Sequence, residues 1–272
     1  MPTVTKSTDG LRKLDATYEG ILEYESCPNL PNGLPTYLFR GERDGYPETL
    51  TSMDRHYHVA EIDEEVYHEL DDLTAYVMHQ PFPEKQLRGR EAGAYAQHYG
   101  LPTQIFDFTS SAKIAIAFSA NRHYHSEKAK GGNIAILDVG KALKAGCLIE
   151  DLRHHRFAKR AYMQQAFGMI YTGFKANDFY DLKDPDIVSE IGLIWIPFAH
   201  LDDDEAFLAS IGANADILST TEDSYASLAQ EFVDEYVKRK GKFSIKAAKI
   251  LSNEIPAIGR SKAENFSRWS DQ

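Results

Sequence analysis

A handful of polar side chains in this chain have types and spacings that can do chemistry together. Gln97, His98, Tyr99, Thr103 and Asp107 fall within one short stretch, and Arg40 stands well ahead of them in Phe39-Arg40-Gly41. Histidine titrates near neutrality and can take or give a proton, while a nearby carboxylate such as Asp107 can orient the imidazole. Arginine presents a planar, permanently charged fork suited to phosphate or carboxylate, and the glycine after it lets a ligand or another backbone approach closely. The plainer reading of Arg40 is a structural ion pair with one of the 41 acidic residues.

Those side chains need elements to position them. Residues 90–99 read as a short helix, which Gly100 and Pro102 stop, and Thr103 to Phe108 then alternates polar and bulky residues as a strand does. Thr109, Ser110 and Ser111 supply hydroxyls suited to capping the next helix, expected over 111–126 with Ile114, Ile116, Ala117 and Phe118 in the core. Helix, stop, strand, cap and helix together gather polar groups at one tight corner. Ahead of it, Thr36 to Arg40 reads as a buried strand ending at Gly41, and 17–26 fits either a helix or a strand. Ile62, Val66, Leu70, Leu73 and Val77 recur at three and four, which predicts an amphipathic helix over 61–80.

Further strands are expected at NIAILDV, MIYTGF and GLIWIPF, the first apolar enough to be buried on both faces. From about Leu201 the pattern changes to three helices, beginning at DDDEAFLASIG, TEDSYASLAQ and FSIKAAKIL. The expected class is mixed α/β (α+β): a central mixed sheet flanked by helices, with a C-terminal helical extension. The expected division is an N-terminal segment at 1–34, of which the first 15 or so residues are loosely ordered, a main domain at 35–200 and helices at 201–272.

Composition narrows the function classes. A formal net charge of -11 and a pI near 5.4 argue against wholesale wrapping of nucleic acid, although Arg153 to Arg160 (RHHRFAKR) is locally basic. There is no apolar run of membrane-spanning length and no secretory h-region, so no membrane partner is expected. The two cysteines, Cys27 and Cys147, form neither a disulfide framework nor a metal spacing, which fits a cytoplasmic protein with reduced thiols. The pairs His56/His58, His123/His125 and His154/His155 lack a third ligand at a matching offset, so no metal is expected. Neither a P-loop nor GxGxxG is present.

Phe39-Arg40-Gly41, followed by Gln97-His98-Tyr99-Gly100-Leu101-Pro102-Thr103, Asp107-Phe108-Thr109 and Ala115-Ile116-Ala117-Phe118, resembles the FRG domain family, named for its Phe-Arg-Gly motif. The family also carries a later arginine, glutamine and glycine-aromatic step, matched here by Arg160, Gln164, Gln165, Phe167 and Gly168. The resemblance spans about residues 35–175 and leaves the C-terminal helices uncovered. It implies a bacterial or phage protein and no settled reaction.

An early arginine, then a hydroxyl-bearing segment, then a late glutamine or glutamate is an ordering similar to ADP-ribosyltransferase-type domains. That likeness implies NAD as substrate and a protein or nucleic-acid target. Arg40 would hold a phosphate and His98 a ribose hydroxyl, Tyr99 or Phe108 would stack on the ring, and Gln165 or Glu190 would stand nearest the reacting carbon. Gly41, Gln97, Thr103, Asp107, Thr109, Arg160 and Gln164 would complete a nucleotide site. Two other readings stay open. One is a nucleotide or phosphodiester hydrolase, or nuclease, with His98 as base and Asp107 behind it. The other is a ligand-sensing or inhibitory module that binds a nucleotide-like molecule without turnover.

Overall fold

Ile134-Ala135-Ile136-Leu137 is apolar at every position, and in the computed structural model all four side chains are completely buried at the centre of β3 (Gly131–Asp138). The structure describes residues 18–42, 48–58, 63–80, 89–98, 100–120, 131–154, 159–172, 180–199, 209, 224–240 and 244–254. Six strands form one sheet: β1 (Tyr37–Glu42), β2 (Phe106–Thr109), β3, β4 (Leu148–Asp151), β5 (Ala166–Ile170) and β6 (Leu193–Ala199), in the order β4-β5-β2-β1-β3-β6. The expected mixed α/β class holds. The expected mixture of strand directions does not, because every pairing is antiparallel. An unbroken apolar strand suggests a parallel sheet, but helices over both faces bury an antiparallel strand equally well.

The sheet has a weak seam. β1 pairs with β3 from Tyr37↔Asp138 to Glu42↔Asn133, and β2 pairs with β5 from Phe106↔Met169 to Thr109↔Ala166. Between β1 and β2 the register holds only at Phe39↔Thr109. Two three-stranded halves, β4-β5-β2 and β1-β3-β6, are thus joined at one residue pair and part beyond it.

Side-chain alternation assigns the layers. On one face, α1 (Tyr18–Glu25) and α5 (Ala112–Ala120) cover the β1 half, burying Ile21, Phe39, Ile116 and Ile134 together. On the same face, α3 (Glu64–His79) and α4 (Arg90–His98) cover the β5 half through Leu70, Tyr95 and Ala166. The opposite face packs Leu38, Phe108, Leu137 and Phe167 under α6 (Val139–Lys144) and α8 (Pro185–Ile191). Short helices α2 (Ser52–His58) and α7 (Lys159–Met163) border the corner. The last helices, α9 (Ser224–Lys240) and α10 (Ile245–Glu254), add Val233, Tyr236, Ala247 and Leu251 to the α3 core. Among the described residues no helix is long and apolar enough to cross a membrane.

Segment 17–26 resolves as helix α1, and the 61–80 pattern buries Val66, Leu70, Leu73 and Val77 as expected. The strand expected from Thr103 begins only at Phe106, because residues before it spend their N–H groups on side chains. Thr103 N–H bonds Ser52 Oγ at 2.9 Å, and Ile105 N–H bonds Thr103 Oγ1 at 3.3 Å. β1 runs on through Gly41 to Glu42. Residues 1–17, Ile62, 121–130, the HxH pair His123/His125, His155 and nearly all of the expected 201–212 helix lie outside the described residues.

Candidate functional site

The corner is built as its sequence requires. Gly100, at φ 91°, takes the left-handed position after α4; its N–H bonds Gln97 O at 3.0 Å and Leu101 N–H bonds Ala96 O at 3.1 Å, a two-bond helix stop. Thr74 of α3 donates its hydroxyl to Pro102 O at 2.8 Å and fastens the turn from outside. At the next helix the cap differs from expectation. Thr109 Oγ1 accepts Ser111 N–H at 3.0 Å, but the Ala112 N–H goes to the Glu25 carboxylate of α1 at 3.0 Å.

Asp107 is where the expected residues converge. It shares a sheet face with Gly168, its register partner on β5, and a Cβ on that glycine would lie 2.8 Å from Ala94 Cβ of α4. The close approach brings the end of α4 over β2. Gln97 Nε2 donates to Asp107 Oδ2 at 3.2 Å, and His98 Nε2 stands 3.8 Å from Oδ1, beyond hydrogen-bond length. Both His98 Nε2 and Asp107 Oδ1 are buried and make no hydrogen bond.

Arg40 reaches the same residue from the other face of the sheet. It leaves β1 beside Leu38 and Glu42, and its Nη1 donates to the Asp107 carbonyl at 2.9 Å, bridging the seam where β1 and β2 part. Its Nε lies 3.6 Å from Glu42 Oε1. Arg40 and His98 therefore meet at Asp107, one on its carbonyl and the other beside its carboxylate.

Burial pushes the His98 imidazole below the ordinary histidine range. The Asp107 carboxylate and a hydrogen bond to the Gln164 side chain pull upward without offsetting this, and Arg160 adds to the downward push. At neutral pH the ring is uncharged. Because Nε2 makes no hydrogen bond, the nitrogen bonded to Gln164 is Nδ1, and Nε2 faces Asp107.

The late segment closes the site. Gln164 is buried beside His98, and its carbonyl accepts the Thr109 hydroxyl at 2.7 Å. Gln165 is exposed at φ 47°, alone among the described non-glycine residues in the left-handed region, because it terminates α7. It is lashed to the end of β2 by Ser110 N–H on its carbonyl and Ser110 Oγ on Oε1, both at 3.0 Å.

Other expected residues do different work. Gly41 faces α5, where a Cβ would lie 1.9 Å from Ala115 O, so this glycine is the floor on which a helix rests. Phe108 is buried in the core of the opposite face. Thr103 donates its hydroxyl to Gln97 Oε1 and supports the corner from beneath. Glu190 of α8 accepts the Tyr171 hydroxyl at 2.8 Å, apart from the corner. Tyr99 lies outside the described residues. Of the histidine pairs, His58 faces Glu48 at 3.3 Å and His154 faces Asp151 at 3.2 Å. Among the described residues no group of three or more His, Cys, Asp or Glu is placed to hold a metal ion. Burial, chiefly, pushes the Cys147 thiol up to about 12, so it is inert at neutral pH.

Sequence reasoning missed Ser52. Its hydroxyl donates to Gln97 Oε1 at 2.8 Å and accepts Thr103 N–H. The Thr51-x-x-Asp54 cap, in which Asp54 N–H bonds Thr51 Oγ1 at 3.2 Å, was a legible signal for α2 itself. Nothing local marks the serine after it.

A split antiparallel sheet with helices on both faces and a buried polar cluster at the split defines the molecule's class: a mixed α/β protein with a candidate site at that split. The family model of the FRG domain matches residues 35–128, so an FRG domain is present in this chain. The match takes in Arg40, Gln97, His98 and Asp107 and stops before Arg160, Gln164 and Gln165. No curated protein and no solved structure matches the chain.

Proposed function

We propose that the FRG domain of this chain binds a nucleotide, with NAD as the substrate of an ADP-ribosyltransferase-like reaction. The observation that carries this reading is the seam. β5, β2 and β1 are consecutive in the sheet, Gln165 ahead of β5 accepts from Ser110 after β2, and Arg40 on β1 donates to the Asp107 carbonyl of β2, which supports the reading.

In this reading Arg40 offers its guanidinium edge to the diphosphate. Asp107 Oδ1 is an acceptor and the neutral His98 ring carries no charge, so the pair suits a ribose hydroxyl and the carboxylate repels phosphate. The bond between the ribose anomeric carbon and the nicotinamide nitrogen breaks, and the pair of electrons leaves with nicotinamide. An acceptor oxygen or nitrogen then attacks the oxocarbenium-like carbon and loses its proton. Positioning and electrostatics supply the rate, with Gln165 orienting the ribose hydroxyl beside that carbon.

The test is incubation with NAD and candidate protein and nucleic-acid targets, following nicotinamide release and label transfer for the parent, Arg40→Ala and His98→Ala. Turnover lost in both variants, each still folded with a cooperative melting transition, is expected. NAD binding without turnover would favour the sensing or inhibitory module. The neutral His98 also fits a hydrolytic base, so phosphodiester cleavage that needs His98 and ignores NAD would replace the transferase reading.

A further inference from the structure

We propose that Ser52 is a positioning residue of the corner, holding the Asp107 carboxylate at a fixed distance from His98 through Gln97. Four observations carry this. Ser52 is buried at the start of α2 beside buried Thr51, Met53 and Asp54, and of the two acceptors its hydroxyl reaches, Gln97 Oε1 at 2.8 Å is nearer than Thr103 O at 3.2 Å. That hydroxyl and the Thr103 hydroxyl both donate to Gln97 Oε1. With its carbonyl oxygen occupied twice, Gln97 must turn its amide N–H toward β2, where it bonds Asp107 Oδ2 at 3.2 Å. The other carboxylate oxygen is left 3.8 Å from His98 Nε2, near enough to share a ligand hydroxyl and too far to bond the ring directly.

The consequence is electrostatic. A carboxylate robbed of its Gln97 donor seeks another, and the nearest group able to become one is the His98 ring. A direct Asp107–imidazole bond would favour the imidazolium and fill the space between them. The groups facing that ring are Asp107 from β2, Gln164 after α7 and Arg160 of α7, and only the first pulls the ring toward the charged form through a movable charge. Ser52 thus keeps His98 neutral and Nε2 open.

The experiment is a titration of the His98 ring nitrogens by NMR in the full chain. Ser52→Ala should move the His98 midpoint upward by about half a pH unit or more. The shift should vanish when Gln97→Ala is already present, because the serine acts through that amide. Thr74→Val removes another buried hydroxyl of the same corner, the one on Pro102 O, and should leave the midpoint in place. An unmoved midpoint in folded Ser52→Ala, an equal movement in Thr74→Val, or a shift that persists without Gln97 would each overturn the proposal. Should the alanine variant not fold, Ser52→Cys keeps the volume and loses most of the donor strength, with the same expected and overturning results.

Discussion

Two buried polar clusters lie on opposite faces of the sheet, and Arg40 touches both. Around Glu42 both carboxylate oxygens are bonded, although Arg40 Nε, 3.6 Å from Oε1, makes no hydrogen bond. Thr49 Oγ1 donates to Oε1 at 2.7 Å, Lys183 Nζ to Oε2 at 3.0 Å, and the lysine lies over the Trp195 ring at 4.9 Å. Asp181 Oδ1 takes the N–H groups of Thr49 and Lys183, and Trp195 Nε1 bonds Leu182 O at 2.8 Å. Around Asp107 the bonding is deliberate up to a point and then stops, with Nε2 and Oδ1 facing each other at 3.8 Å. A satisfied buried network locks a fold, whereas buried groups left without hydrogen bonds cost stability and are retained where a ligand supplies the missing partner. The first cluster is a clasp and the second is the candidate site.

Variants can break or sharpen that contrast. The largest effect belongs to the residue between the clusters' two arms: Gly41→Ala drives a methyl to within 1.9 Å of Ala115 O, which is backbone and cannot swing away. A loss of about 3 kcal/mol or more is expected in urea unfolding, up to failure to fold. Glu42→Gln strips the clasp of its charge and should cost about 2–3 kcal/mol, at the low end for a broken buried pair because Lys183 retains some contact with water. If Glu42→Gln leaves stability untouched, the clasp reading is wrong. Asp107→Asn can keep the Gln97 bond, so its stability should change by no more than about 1 kcal/mol while the nucleotide binding proposed above falls.

The smallest effect is a pH dependence. His98 titrates lower in the folded chain than in the unfolded one, so the unfolded state binds more protons just below the ordinary histidine value of 6.5. Its contribution to stability is complete above that value and falls as the pH drops toward the folded midpoint, by at most about 1.4 kcal/mol per pH unit. Urea midpoints measured from pH 7.5 downward should show this slope in the parent and lose it in His98→Gln. A slope unchanged in the variant would assign the effect to another group.

Much of the corner was legible because its signals are local. A glycine that must take positive φ, a proline that cannot continue a helix and an apolar residue every third or fourth position each act within a few residues. They fixed α3, the stop after α4 and the start of α5. Arg40, His98 and Asp107 were likewise picked out by side-chain type, and the structure brings them together at Asp107. Their division of labour was not legible in this way. Gly41 and Arg40 are neighbours in one motif, yet alternation sends one under α5 and the other across the seam. Thr109 and Gln164, Ser110 and Gln165, or Ala112 and Glu25, are joined by bonds that span dozens of residues, and no local pattern announces them.

By itself, then, the order of residues determined which elements form and which side chains are chemically able, since propensity, capping and charge are properties of short stretches of chain. Only the tertiary structure decided that the sheet parts between β1 and β2, that strand direction alternates throughout, and that Ser52 and Gln164 flank Gln97, His98 and Asp107. Those facts depend on which distant backbones come into register and which buried groups find partners there. That is settled when the whole core packs at once.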